Sequence, residues 1–316
     1  MLLRRVSHTA RREKRQSLKR RMKRYLPLYI LLIPPLAYLL ILRYYPIIAQ
    51  VAISLSNYKI KGGIWHSPFV GLQNFRELFS SASFLQIMVN TVRISVMNLL
   101  LGFLPPILLA IALFDMINVR FSRVTQNLLY VPHFFSWVVI YNITVALLTN
   151  TGYLNGVLTR LGLPGQNWMM KASGFLPLIA VTNLWKELGW GTIIYMAALT
   201  SIDTSLFEVA KIDGAGPLQR IRYITLPGIL PVVVFVLTMS LGRIFSAANT
   251  EQILLFQGPA NYTVSDTIGT WVYRQGLGKL KYSLGSAVDL FQSVIGLILV
   301  LICNKVANRV AGVGIW

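Results

Sequence analysis

The chain has 316 residues, of which 55% are apolar and 13% charged, with a mean hydropathy of +0.59. A soluble domain carries about 25% charged residues, so a water-soluble enzyme is excluded unless the charges cluster. They do cluster: positions 25–42, 94–114, 124–159, 188–202, 229–242 and 290–304 contain no Asp, Glu, Lys or Arg. Uncharged apolar tracts of this kind read as membrane spans. The net charge of +20 could point to nucleic acid, but 11 of the 30 basic residues lie in the first 24 positions, from Arg4 to Arg24, beside one acid, Glu13. A nucleic-acid groove needs basic residues and exposed aromatics on a folded surface. A basic tail abutting an apolar run instead orients that span and sits against anionic lipid headgroups. The expected partner is the bilayer, not nucleic acid.

The chain then divides as follows, taking about 20 helical residues to cross the hydrocarbon core. Residues 1–24 are a basic cytoplasmic tail. Residues 25–85 hold a first span at 26–48 and an outer segment. Arg43 interrupts that span, and Pro34-Pro35 and Pro46 kink it or mark its outer end. Its apolar run exceeds that of a signal peptide and no small-residue cleavage site follows, so it reads as a retained anchor. In the outer segment, residues 71–79 with Phe84 and Leu85 are amphipathic enough for a short interfacial helix, and 152–163 read similarly. Residues 86–307 form a core with five spans at 89–113, 126–148, 174–198, 229–248 and 287–307, and 308–316 are a second cytoplasmic tail. The fold class is all-α, a polytopic membrane protein with six transmembrane helices. With an inner amino terminus, inner segments hold 18 Lys and Arg against eight outside, which puts both termini in the cytoplasm. Without the tail the count is seven against eight, so the first span carries the orientation.

Chemistry-bearing motifs are sparse. No G-x-x-x-x-G-K-[ST] loop occurs, and Gly276-Leu277-Gly278-Lys279 lacks its spacing. There is no H-E-x-x-H, no G-x-S-x-G and no carboxylate cluster. Cys303 stands alone and reads as a small hydrophobe, and His8, His66 and His133 are too scattered for a metal motif. Catalysis by this chain and a cofactor bound to it are not expected.

The informative stretch is the loop 201–227. Ser205 and Glu208 have capping-box spacing, which predicts a helix start there. Gly214 is placed to end it in a left-handed conformation, and Pro217 to open a second short helix. Leu206, Phe207, Val209, Ala210 and Ile212 make the first helix too apolar for a solvated loop. Either the chain's own helix ends or another subunit covers that face.

The run Glu208-Val209-Ala210, Asp213-Gly214-Ala215, Ile224, Leu226-Pro227 resembles the "EAA" loop of permease subunits of binding-protein-dependent ABC importers. It departs at Val209, usually Ala, and at Ile221, where Phe is common; both stay apolar. Phe69-Val70-Gly71-Leu72-Gln73-Asn74-Phe75, Asn90-Thr91, Pro132-His133-Phe134-Phe135-Ser136-Trp137, Trp185-Lys186-Glu187-Leu188-Gly189-Trp190 and Gly314-Ile315-Trp316 look like the polysaccharide-type sugar permeases of that class. The likeness covers nearly everything after Tyr25. It implies a type I ABC importer permease fold in the cytoplasmic membrane and a second permease, with heterodimer formation. Two ATPase subunits would use the ATP, and an extracytoplasmic solute-binding protein would deliver an oligosaccharide. Carried over residue by residue, Glu208, Ala210, Asp213, Gly214 and Ala215 are the positions coupling the permease to the ATPases.

Polar residues inside spans are costly and face cavities or partners. Lys186 and Glu187 sit near the middle of the fourth span and Arg243 deep in the fifth. Lys186 either pairs with Glu187 or Glu251, snorkels, or lines the sugar pathway beside Trp185 and Trp190, whose faces stack on pyranose rings. Arg243, followed by Ser246, Asn249 and Glu251, is the stronger pathway candidate. Asp289 pairs with Lys281 or Arg243. The basic candidates point to an acidic, uronate-containing oligosaccharide, although a neutral one needs the same aromatics and hydroxyl partners. A self-contained secondary sugar transporter is the alternative; it predicts inverted repeats and intramembrane carboxylates, and no repeat is visible.

Overall fold

The computed structural model describes residues 25–164, 168–169, 171–245 and 250–315. The basic tail before Tyr25, Ser246, Asn249 and Trp316 lie outside the described residues. Among these residues every regular element is helical, with one isolated bridge between Ser56 and Phe69.

Helix α1 (Tyr25–Ser54) is apolar on every side, and none of its most apolar window is buried in the chain. Its prolines do not end it. The turn at Leu40–Tyr44 widens to a π-turn just before Pro46, which relieves the backbone where proline offers no N–H. The short helix α2 (Gln73–Ser80) packs back on the bundle through Leu78. It is followed by α3 (Phe84–Phe114), α4 (Val119–Tyr130), α5 (Trp137–Leu148), α6 (Tyr153–Arg160) and α7 (Ala172–Thr200). After a 71° bend comes α8 (Thr204–Ile212), and after a tight turn α9 (Pro217–Gly242). Short helices α10 (Thr250–Phe256), α11 (Tyr262–Ser265) and α12 (Ile268–Val272) lead to α13 (Tyr282–Ala311). Five helical stretches are long and apolar enough to cross a membrane, or six if the bent pair of α7 and α8 is counted as one span.

Two expected boundaries are corrected. The span expected over 126–148 is broken, because Pro132 cannot continue α4 and residues 131–134 tighten into a 3₁₀ turn before Ser136 caps α5. The span expected at 229–248 starts earlier, at Pro217, and stops at Gly242. The second short helix of the loop is therefore the first turns of α9, continued through a π-turn at Ile221–Thr225 that sits just before Pro227. Arg243 is the residue closing α9, not a residue deep within it.

The bundle is centred on α3 against α7, the most extensive helix pair, with α9 on one side and α13 beyond it. Ile107, Ala110 and Ile111 of α3 meet Tyr195, Ala198 and Leu199 of α7 and Ile229 of α9 in one buried cluster. Lipid tails are as apolar as these side chains, so close backbone approach rather than water exclusion holds such helices together. Glycines supply it. A Cβ at Gly189 would stand 2.1 Å from Leu129 O of α4, and one at Gly296 2.5 Å from Gly242 O.

The connection before α13 is fixed to α3 by polar contacts. Arg274 grips Asp266 with two bonds of 2.8 Å, Thr270 donates to the same carboxylate, and Asn90 of α3 donates to Asp266 O and Thr263 O. The hydrogen bonds to Asp266 hold the Arg274 guanidinium above its ordinary pKa, against a smaller opposing effect of burial. Lys281 pairs at 2.8 Å with Glu77 rather than with Asp289, and Asp289 is exposed on α13.

Candidate functional site

Two places concentrate the polar residues of this apolar chain. The first is a half-open cavity of about 260 Å³ bounded by α3, α7, the end of α9 and the start of α10. On α3, Thr91, Ser95, Asn98 and Gly102 line it; their spacing of four, three and four puts them on one helical stripe. Asn183 and Glu187, one turn apart on α7, face them. Ser240 and Arg243 also line it, and Thr250 and Thr267 add hydroxyls. Asn183 Nδ2 donates to Asn98 Oδ1 at 3.2 Å. The Asn98 Nδ2 is buried and has no partner among the described residues. An unpaired buried donor costs about 1–3 kcal/mol, so this wall favours a polar occupant.

The expected pathway residues divide around that cavity. Arg243 lines it. Glu251 is exposed in the first turn of α10 and is not part of the wall, although its neighbour Thr250 is. Asn249 lies outside the described residues. Trp185, Lys186 and Trp190 are not on the wall either: they face the break between α4 and α5. Trp190 stacks on the His133 ring at 4.3 Å with planes 2° apart, and Trp185 lies 6.4 Å from Phe135. Lys186 is buried, and its Nζ donates to the carbonyls of His133 and Phe135, the latter at 2.7 Å. Glu187 Oε1 is 3.9 Å away, and the Trp137 ring 5.6 Å. The buried ammonium thus satisfies carbonyls freed by the break, a partner that a search for carboxylates alone does not find. Sequence reading missed the α3 stripe, although four small or polar positions at helical spacing within an apolar run were there to be seen.

The second place is the turn joining α8 and α9. Asp203, not Ser205, caps α8: its carboxylate accepts from Ser205 N at 2.9 Å. That bond and the Ser205 hydroxyl hold the Asp203 carboxyl below its ordinary pKa. At the other end Gly214 has φ +76°, and Ala215 N donates to Ala210 O at 2.8 Å while Gly214 N donates to Lys211 O at 3.2 Å. This pair of bonds is the Schellman ending, which needs a left-handed residue between them. It explains why Ala210, Asp213, Gly214 and Ala215 occur as a set: Asp213 closes the helix and the two alanines meet across the turn. Pro217 opens α9 at its first position, and Gln219 Oε1 accepts from Gly216 N at 2.8 Å. Phe207 anchors α8 on Phe114, the last residue of α3, at 5.8 Å. Leu206, Val209 and Ile212 remain exposed, Ile212 at 85%, with Glu208 exposed beside them.

The family model described as "Binding-protein-dependent transport system inner membrane component" matches residues 24–313. The chain is 36% identical over 283 residues to Protein LplB of Bacillus subtilis (strain 168), covering 89% of this chain and 88% of that protein. It is 34% identical over 307 residues to the polygalacturonan/rhamnogalacturonan transport system permease protein YteP of the same organism, covering 97% and 95%. A chain of a bacterial alginate ABC transporter, crystallised in complex with alginate pentasaccharide-bound periplasmic protein, superposes with a TM-score of 0.85 at 33% identity, covering 94% of this chain and 99% of that one.

Proposed function

The chain belongs to the family of inner-membrane components of binding-protein-dependent transport systems, and on that premise we propose that it is a permease subunit of an ATP-driven importer of uronate-containing oligosaccharides. In this reading it lies in the cytoplasmic membrane with six spans and both termini inside, paired with a second, homologous permease. An extracytoplasmic solute-binding protein delivers the glycan. ATP is bound and hydrolysed by two separate ATPase subunits, and the chain itself does no covalent chemistry.

The observation that carries the reading is the polar cavity between α3 and α7. A glycan is studded with hydroxyls that both donate and accept, and Asn98, Asn183, Ser95 and Ser240 offer both. Arg243 supplies the positive charge that a uronate carboxylate pairs with, in a fork geometry suited to it. At about 260 Å³, the cavity is smaller than the roughly 300–1,000 Å³ typical of complete ligand sites, which fits half of a route shared with a second permease. An acidic substrate is further supported by the polygalacturonan/rhamnogalacturonan relative and by the alginate transporter.

The turn between α8 and α9 serves as the coupling element. Its exposed stripe of Leu206, Val209 and Ile212 is the apolar contact for an ATPase subunit, and Glu208 stands beside it. Ala210, Asp213, Gly214 and Ala215 make the turn that lets ATPase closure move α8 and α9 together.

The route is tested by Gly102→Phe in the reconstituted complex. A Cβ at Gly102 meets nothing within 4 Å, and Gly102 lines the cavity, so a ring there is expected to fill the space. Uptake of trigalacturonate is expected to stop while ATPase stimulation by the loaded binding protein persists. Wild-type uptake would remove the cavity from the route. Arg243→Gln addresses charge: it is expected to depress trigalacturonate uptake far more than that of any neutral trisaccharide the complex carries.

A further inference from the structure

We propose that His133 is a positioning residue for the transport route: it sets the carboxylate of Glu187 at the cavity wall. The inference rests on the reading of the cavity as that route.

Two residues on successive turns of α7 hold the break between α4 and α5. Lys186 Nζ takes the carbonyls of His133 and Phe135, so the backbone at 133–135 is tied to α7. The indole of Trp190, one turn further along, lies flat against the imidazole, which fixes the ring plane. With backbone and plane both set, His133 Nδ1–H points at Glu187 and donates to Oε2 at 2.9 Å. A glutamate on a helix has three rotatable side-chain bonds and sweeps a wide arc. Here the other cation near it does not fix it, since Lys186 is 3.9 Å from Oε1 and already bonded to two carbonyls. The remaining charged side chain on the cavity wall is Arg243. A carboxylate left to rotate has no fixed place among the groups that line the cavity. The imidazole holds one carboxylate oxygen, which leaves the other at the cavity wall to accept glycan hydroxyls.

Lys186 and Trp190 thus act through His133, and His133 through Glu187, which alone of the four lines the cavity. This also accounts for a hydrogen-bonding imidazole, where an apolar ring would stack on Trp190 equally well.

The experiment uses the full complex in proteoliposomes with its binding protein saturated with trigalacturonate, and reads trigalacturonate imported per ATP hydrolysed. His133→Phe keeps a ring against Trp190 but removes the donor. It is expected to lower the ratio roughly tenfold or more, since tenfold is the lower end of what a hydrogen bond to a charged group carries. His133→Asn, whose amide restores a donor near the Nδ1 position, is expected to recover most of it. In a Glu187→Ala background His133→Phe is expected to change nothing further, because no carboxylate remains to be set. A purely structural role for His133 lowers uptake and ATPase together and leaves the ratio at the wild-type value, which overturns the proposal. So does an undiminished effect of His133→Phe in the Glu187→Ala background. If Glu187→Ala or Gly102→Phe lowers the ratio while His133→Phe does not, the positioning role falls and the cavity stays in the route. If none of the three changes it, the cavity reading falls and takes this inference with it.

Discussion

Three glycine-to-alanine substitutions separate close helix packing from helix propensity. In each, the methyl group raises intrinsic helix stability by about 1 kcal/mol, so differences among them report the space available. At Gly156, exposed in α6, a Cβ meets nothing within 4 Å, and the full gain is expected. At Gly191 it meets the Pro106 ring at 3.1 and 3.3 Å, a contact relieved by a few tenths of an ångström, and the net effect is near zero. At Gly189 it meets Leu129 O at 2.1 Å and Leu129 C at 2.4 Å. Both are backbone atoms of a helix, so α4 and α7 must part by about 1 Å, which forfeits a quarter to a half of each dispersion contact along the seam. Overpacking of this sort costs typically 1–3 kcal/mol, and the strain reaches the Lys186 and Trp190 contacts on the neighbouring turns, so the gross cost is about 2–4 kcal/mol. Thermal unfolding of the detergent-solubilised complex should rank Gly156→Ala above wild type, Gly191→Ala level with it and Gly189→Ala clearly below. Should Gly189→Ala melt with or above Gly156→Ala, close backbone contact does not hold α4 to α7.

Lys186→Met preserves length but removes the donor from two carbonyls at the break, each costing about 1–3 kcal/mol when left unpaired. The yield of assembled complex is expected to drop, and Lys186→Arg to restore most of it; equal yields for Met and wild type would show the ammonium to be dispensable. Gly214→Ala meets no steric obstacle but places an L-residue at φ +76°, costing about 1–2 kcal/mol. It should leave ATP-driven uptake reduced but coupled. Gly214→Pro, whose ring fixes φ near −65°, is expected to leave ATPase activity without uptake, and coupled uptake at the wild-type rate would refute the coupling role of this turn.

Much of this was legible from residue types. Charge-free tracts located the long helices because a charge inside hydrocarbon is costly whatever the fold. The amphipathic stretches near residues 73 and 153 did form short helices, and Gly214 and Pro217 took the conformations their chemistry favours. What hydropathy could not convey was where an apolar run breaks. Pro132 splits one such run, whereas Pro46 and Pro227 are absorbed in π-turns. The pairing of Lys186 with Glu187 was legible and is present at 3.9 Å, but its hydrogen-bond partners were hidden for a related reason. Its partners are main-chain carbonyls that exist only because of the break, so no side-chain inventory contains them. The start of α9 was hidden by Arg220 and Arg222, which look like loop residues to an apolarity count yet lie in the first turns of the helix.

Helix α1 offers a last consequence. None of residues 25–48 is buried in the chain, and the first buried side chain is Ala49. Cutting the described chain at Tyr45 would therefore take away no core residue, no salt bridge and no wall of the cavity. In building terms the stretch before Tyr45 is a detachable module: it can be swapped for another apolar segment, whereas residues 45–54 pack on α13 and have to stay.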